Sequence, residues 1–321
     1  MIELSGNFDA GTMPALKLQL KSILDLFDRR SQIFYMDYPV HSNIGDLLIN
    51  LGTEQLFLDY KIPIHRRYSV VDMPDMAVLK TAANATFLCH GGGNFGDIYP
   101  KHQNFRERLL DAFPHARVIF LPQSLHYSSS QAERASLKKI ARHPNCHILV
   151  RDHESFAALR ESGIAECSMM PDMAHQLWET LKPASALEHG RAMHFFRRDR
   201  EASPAPAELR GAVAGRSVDW SDIVSTPHRA VAGGIYSLLK IAGHDMPARL
   251  NASMWYAARD PMIRDAVAYF SNYDTVSTNR LHAMLLALLL GRDVNAFDNS
   301  YGKLIRYIDA WLTPCVQHQT V

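Results

Sequence analysis

Apolar residues recur at helical spacing across residues 14–30 (PALKLQLKSILDLFDRR), with charges between them, which predicts an amphipathic helix. The pattern then changes. Gln32–Tyr38 (QIFYMDY) is a short aromatic-rich run closed by Pro39 and reads as a strand. Residues 41–60 (HSNIGDLLINLGTEQLFLDY) read as a loop leading into a second helix. Three more apolar runs predict buried strands: Thr86–His90, which enters glycines directly, Arg117–Pro122 and His147–Arg151. Gln131–Arg142 is helical in pattern, Asp152–Ser162 is a helix with Asp152 as N-cap, and Cys167–Pro171 is another short strand.

The alternation restarts after a break at 182–190. Arg191–Phe196 reads as a strand, 199–215 as a long loop rich in Ala, Pro, Arg and Glu, and Ile223–Ile241 as helix in two pieces. Pro261–Tyr269 is a helix, Asp274–Ser277 a strand, Leu281–Leu290 a buried helix ended by Gly291, Asp293–Phe297 a strand and Lys303–Trp311 the last helix. Strands alternating with helices mean parallel sheets covered on both faces. The expected class is α/β, with two Rossmann-like domains, 1–180 and 190–321, facing a cleft. Ligands in such folds sit beyond the carboxyl ends of strands.

Composition narrows the choice of chemistry. A chain of 321 residues with 47% hydrophobic and 21% charged residues is ordinary globular material. Lys+Arg 34 against Asp+Glu 33 leaves a net charge of +1, which disfavours a nucleic-acid binder. Cys89, Cys146, Cys167 and Cys315 lie far apart with no CxxC pair, which argues for free thiols in a reducing compartment and against a zinc site. No export signal is visible, and the greasiest stretch, Ala283–Leu290, falls far short of the roughly 20 residues of a spanning helix. A cytoplasmic location is therefore expected, with any membrane contact peripheral.

The polar residues that follow strands carry the candidate chemistry. In His90-Gly-Gly-Gly-Asn-Phe-Gly-Asp97, Gly91, Gly93 and Gly96 match G-x-G-x-x-G. The next strand ends in LPQS and lacks the acid a dinucleotide site requires. The glycines instead let a ligand approach the backbone, which makes Gly92, Gly93, Asn94 and Asp97 candidates. Asn43 and Asp46 could cap the next helix or line the cleft, and Gln123, Ser124 and His126 are placed on its rim. Arg197 and Arg198 suit a carboxylate or phosphate, because a guanidinium fork binds such groups bidentately. Arg280 and His282 fall at the start of a buried helix, where peptide dipoles favour an anion. Ser300, Tyr301, Gly302 and Lys303 form a second possible phosphate cradle.

The strings NIGD, HGGGNFGD, PQS, RDHES, FFRRD, STNRLHA and DNSYGKL occur in the order found in polysaccharide pyruvyltransferases, and the chain resembles that family over residues 35–311. The resemblance implies a fold like the two-domain GT-B glycosyltransferases, phosphoenolpyruvate as donor, and a sugar diol as acceptor. It further implies an acceptor on a lipid diphosphate at the cytoplasmic face of the membrane. By the same similarity, Arg197 or Arg198, together with His282, belongs to the donor site. The expected reaction transfers a pyruvyl group to two hydroxyls of one sugar, giving a cyclic ketal and phosphate. One of the two arginines would hold the carboxylate; Arg280, Lys303 and the helix-start amides would hold the phosphate. His282 would be the general acid, and the base would be His126, Asp46 or Asp97, with His126 preferred. No cofactor and no metal are expected. The competing expectations are a nucleotide-sugar glycosyltransferase of the same architecture, with Asp298 near the nucleotide, and a silent sugar-binding scaffold.

Overall fold

Strands that are apolar at every position must be covered on both faces. The computed structural model of the chain, which describes residues 1–6, 11–77, 79, 85–184, 190–198, 217–298 and 302–313, provides that cover. A first sheet holds β2 (Ile33–Met36), β3 (Ile64–Tyr68), β4 (Thr86–Cys89), β5 (Gly92–Phe95), β6 (Arg117–Leu125), β7 (Cys146–Val150) and β8 (Cys167–Met169). Its strands run parallel in the order β3-β2-β4-β6-β7-β8, with β5 on the far end of β6. The winding direction reverses between β2 and β4, so a crevice opens beyond their carboxyl ends.

A second, four-stranded sheet has the order β1-β11-β10-β9. Here β9 (Ala192–Phe195), β10 (Thr275–Thr278) and β11 (Asp293–Ala296) are parallel, and β1 (Ile2–Leu4) is an antiparallel edge. Residues 2–4 thus pair with the second sheet, although sequence reading grouped them with residues 1–180.

The helices are α1 (Thr12–Leu20), α2 (Ile44–Asp59), α3 (Pro100–Ala112), α4 (Ser130–Ile140), α5 (His153–Glu161), α6 (Trp220–Ile223), α7 (Thr226–Ala242), α8 (Ala248–Ser271), α9 (Leu281–Leu289) and α10 (Lys303–Trp311). Asn43 caps α2 by accepting from Gly45 N at 3.1 Å, and Asp152 caps α5 by accepting from Ser155 N at 2.8 Å, both as the sequence predicts.

Several elements depart from expectation. The helix expected over 14–30 is α1 followed by a 3₁₀ turn at Lys21–Leu26. The strand expected to end at Pro122 continues to Leu125, because β5 pairs with its extension through Gly92↔Gln123 and Phe95↔Leu125. Helix α8 begins at Ala248 and contains Pro261 in its interior. An interior proline costs about 3 kcal/mol, but Trp255, Ala258, Met262, Ile263, Ala266 and Phe270 bury one long face that offsets it. The loop predicted at 199–215 lies outside the described residues.

One apolar core joins the two sheets. It contains Leu88 and Ile119 of the first sheet, Phe195 and Val276 of the second, and buried faces of α2, α8 and α9 between them. A second cluster packs α3, α4 and α5 on the other face of the first sheet through Phe105, Leu109, Leu137 and Leu159. Polar ties cross the join: Arg259 Nη1 donates to Asn50 Oδ1 at 2.6 Å, and Tyr256 OH donates to Glu54 Oε1 at 2.7 Å. A large apolar interface of this kind resists hinge motion between the sheets.

Two histidines in this interior stay neutral. His90 shares a 2.7 Å hydrogen bond with Tyr35 OH, and His175 a 2.8 Å hydrogen bond with Tyr307 OH. Burial pulls each down to about 4, against the opposing charges of Asp46 on His90 and Asp172 on His175. A folded pKa below the unfolded value of roughly 6.5 means that the unfolded chain binds more protons between those values, so stability falls as pH drops through that window. Urea unfolding at pH 8 and pH 5 should show a loss of about 2 kcal/mol per imidazole. A free energy unchanged between the two pH values would refute buried neutral histidines.

Candidate active site

A cavity of about 320 Å³ lies where the carboxyl ends of both sheets converge. After β2 it is lined by His41, Asn43 and Asp46; from β5 by Gly93 and Asn94; and from the start of α3 by Tyr99 and His102. Arg151 follows β7, Arg197 follows β9, and Trp220 opens α6. Arg280, Leu281 and His282 follow β10, and Lys303 follows β11. The first turns of α2, α9 and α10 all border the space, and helix N-termini favour negative charge.

The second sheet supplies three of the lining cations. Arg197, Arg280 and Lys303 line one side. Arg280 Nη2 is 2.6 Å from Asp219 Oδ2, and Asp219 is the N-cap of α6, so the guanidinium is anchored to a fixed helix start. Arg197 N donates to Asn279 Oδ1 at 2.9 Å. The structure separates the two sequence candidates. Arg198 turns away, 3.0 Å from Asp222 and bonded to the carbonyl of Ser217, because neighbours on an extended segment face opposite sides.

His282 is held from below. Its Nε2 is 3.3 Å from Asp172 Oδ2, a carboxylate with 1% side-chain exposure. The guanidinium of Arg151 pairs with the same carboxylate, and Ala174 N donates to its Oδ1 at 2.8 Å. Burial opposes ionisation of Asp172, but the charges of His282 and Arg151 and the hydrogen bonds from His282 and Ala174 outweigh it, and its pKa lies well below the ordinary carboxylate range. Above the ring sits Gly45, where a Cβ would fall 2.7 Å from Nδ1.

The first sheet supplies polar groups. Asn43 Nδ2 donates to Asp46 Oδ2 at 2.8 Å, and His41 Nε2 is 3.6 Å from the same oxygen. Enclosure opposes the charge on Asp46, but the neighbouring imidazoles of His41 and His282 outweigh it, leaving its pKa below the usual value. Arg106 donates to Asn94 O at 3.0 Å and to its side-chain oxygen, which fixes that loop.

Not every predicted residue lines the cavity. His126, the preferred base, is carried past it by the extended β6; its N–H donates to Phe95 O at 2.9 Å. Asp97 instead binds Ser128, accepting from its N at 2.8 Å, and tethers two loops. Gln123 and Ser124 are buried struts, not rim groups: Gln123 Nε2 donates to His90 O at 2.5 Å, and Ser124 Oγ is 3.1 Å from Arg151 Nη2. Gly92, at φ 124, packs against α2, where a Cβ would fall 3.3 Å from Ile49 Cδ1 and 3.5 Å from Asp46 Oδ1. Gly302 is the left-handed N-cap of α10, while Ser300 and Tyr301 lie outside the described residues. Among the described residues no group of three or more His, Cys, Asp or Glu is arranged to hold a metal ion.

Sequence reading singled out none of His41, Tyr99, His102, Arg151, Asp172 or Trp220 for the site. Two signals were available: Pro100 as a helix-start residue just before His102, and the end-of-strand positions of Arg151 and Asp172.

The family model described as polysaccharide pyruvyl transferase matches residues 43–301. EpsO of Bacillus subtilis (strain 168), provisionally described as a pyruvyl transferase, is 32% identical over 316 residues, covering 96% of this chain and 95% of that protein. Pyruvyl transferase 1 of Schizosaccharomyces pombe is 27% identical over 297 residues, covering 88% of this chain and 70% of that protein. A crystal structure of a functionally uncharacterised protein from Klebsiella pneumoniae superposes with a TM-score of 0.63 at 19% identity, over 92% of this chain and 94% of that one, which shows a shared fold.

The close approach at Gly45 generates a test. Gly45→Ala should push the imidazole of His282 off Asp172, because the new methyl would meet Nδ1 at 2.7 Å. Overpacking of this kind should cost about 1–3 kcal/mol of stability. Histidine side-chain NMR reads the displacement; an unmoved His282 resonance would show that the contact does not hold the ring.

Proposed function

This chain belongs to the polysaccharide pyruvyl transferase family, and from that premise we propose that it transfers the pyruvyl group of phosphoenolpyruvate onto two hydroxyls of one exopolysaccharide sugar. The products are a cyclic pyruvate ketal and phosphate. The observation that carries this reading is the meeting of Arg197, Arg280, Lys303 and His282 in one cavity, opposite the polar groups Asn43, Asp46 and Asn94.

The donor carries a carboxylate and a phosphate, and so requires fixed cations. Arg197 takes the carboxylate; Arg280, Lys303 and the first-turn amides of α9 and α10 take the phosphate. His282 protonates the methylene carbon of the donor, and the adjacent carbon becomes electrophilic. One sugar oxygen bonds to that carbon, the carbon–oxygen bond to phosphate breaks, and the second sugar oxygen closes the ring. Of the two hydroxyl protons, the balance places one on the new methyl group and one on the departing phosphate. Asp46, held ionised, and Asn94 orient the diol.

In this reading the molecule is a GT-B-like pair of Rossmann-like halves, with the acceptor on residues 1–180 and phosphoenolpyruvate on 190–321. The sugar arrives on a lipid-linked oligosaccharide at the cytoplasmic face of a membrane. No helix among the described residues is long and apolar enough to cross a membrane, which is compatible with peripheral access.

Incubation with phosphoenolpyruvate and a panel of glycosides should release phosphate only when both are present. Stabilisation in thermal shift by nucleotide sugars and not by phosphoenolpyruvate would overturn the donor assignment. Arg197→Ala should weaken phosphoenolpyruvate binding at least about tenfold, whereas Arg198→Ala should change it less than about twofold. Isothermal titration distinguishes them, and equal affinities would reject Arg197. His282→Ala should keep donor affinity and lose about two orders of magnitude in kcat; a near-normal kcat removes it from the acid role.

A further inference from the structure

We infer that His102 is the base that takes the proton of the attacking sugar hydroxyl, and that Asp37, braced by Arg106, is its positioning residue. The inference rests on the ketal-forming reaction proposed above. His102 lies in the first turn of α3 and lines the cavity. Its Nδ1 is 2.8 and 3.0 Å from the two oxygens of Asp37. An ionised carboxylate only accepts hydrogen bonds, so Nδ1 carries the ring proton and Nε2 keeps the lone pair that a base needs.

The carboxylate is built into the fold for this contact. Asp37 has no side-chain exposure, and its backbone sits at φ 63, the left-handed region that a non-glycine residue seldom occupies. Such strain persists only where the surroundings enforce it, and it clusters at functional sites. Here it falls at the carboxyl end of β2, beside the switch point of the sheet. Arg106 lies one helical turn beyond His102, fully buried, with Nη2 3.6 Å from Asp37 Oδ2. The same guanidinium holds Asn94 of the glycine loop.

The arrangement repeats that around His282. There, too, a buried carboxylate, Asp172, is shared between an imidazole and a buried arginine, Arg151, which lies 3.7 Å from the Cβ position of Gly93 in the same loop. Two carboxylate-oriented imidazoles therefore line one cavity, and the reaction delivers one proton to the donor carbon and takes one from each of two sugar hydroxyls. The alternatives fit less well. Asp46 is a poor base because neighbouring imidazoles hold its pKa low, and His41 is engaged with Asn43 N at 3.4 Å and with Asp46. As the sugar oxygen bonds to the electrophilic carbon, its proton passes to Nε2 of His102. That proton leaves with the phosphate when the carbon–oxygen bond to phosphate breaks, and the proton of the second hydroxyl replaces the one His282 gave to the new methyl group.

Phosphate release should fall about a hundredfold in kcat for His102→Gln, with phosphoenolpyruvate affinity unchanged. Asp37→Asn should lower kcat at least about tenfold while KM for phosphoenolpyruvate stays within about twofold. Asp37→Asn leaves Arg106 without its carboxylate, so a folding failure there is covered by two other readouts. One is the His102→Gln kinetics. The other is the tautomer of His102 in the wild-type protein by nitrogen-15 NMR, where Nδ1–H is expected. Normal turnover in His102→Gln, or an Nε2–H tautomer in the resting protein, overturns the inference and leaves the proposed reaction standing. Absence of any sugar-dependent phosphate release from the wild type would overturn the reaction itself, and the assignment of His102 as its base with it.

Discussion

A carboxylate buried to 1% exposure cannot stand alone, and much of the site follows from how Asp172 is compensated. Its partners come from separate parts of the chain. Arg151 ends β7, Ala174 starts a 3₁₀ turn, and His282 sits in the first turn of α9. Its backbone N–H donates to Tyr307 OH of α10 at 2.9 Å. Removing one partner of such a buried pair leaves an uncompensated charge and costs about 3–5 kcal/mol. That penalty ties the first sheet to the second at the point where the cavity forms.

The shared core has a related effect. Two domains facing a cleft would assemble their site by closing on a ligand. Here Leu88 and Ile119 already belong to one apolar cluster with Phe195 and Val276, and α2, α8 and α9 fill the space between. The cavity is therefore formed before any ligand arrives. Groups in such a site lose little freedom on binding, and the electrostatic work of orienting them is done by folding. Gly45 shows how close the fit is, since a single added methyl would collide with His282.

What was legible in the sequence was local. The apolar runs that became β2, β4, β7, β9, β10 and β11 were visible, as were the Asn43 and Asp152 caps, and the polar residues just beyond those strands included Asn43, Asp46, Asn94, Arg197, Arg280, His282 and Lys303. What was hidden was long-range. Asp37 meets His102 across 65 residues and Asp172 meets His282 across 110, and no spacing rule connects them. Helix α3 escaped notice because its buried face includes Gln103 and Arg106 among the apolar residues, and β3 because its middle is His65-Arg66-Arg67. Gln123 and Ser124 were misread because a polar pair after a proline reads as a loop, yet β5 supplies a parallel partner that keeps it in the sheet. Arg197 and Arg198 are indistinguishable by type; the Asp222 carboxylate and the Ser217 carbonyl that bind Arg198 show which one turns outward.

The charges around the cavity are also unequal from side to side, and this decides how a doubly anionic donor would lie. Arg197, Arg280 and Lys303 approach from the second sheet, while on the first sheet's side Arg151 is paired with Asp172 and the ionised Asp46 faces the cavity. A phosphate placed near Asp46 would meet a fixed negative charge in a partly desolvated space, where charge–charge terms are several-fold stronger than in water. The same phosphate placed against the first turns of α9 and α10 meets cations and aligned peptide dipoles. A neutral sugar suffers no such penalty beside Asp46 and gains a hydrogen-bond acceptor there. In the proposed reaction, repulsion on one side and attraction on the other would sort donor from acceptor through groups whose charge state is set by the neighbours the fold has packed around them.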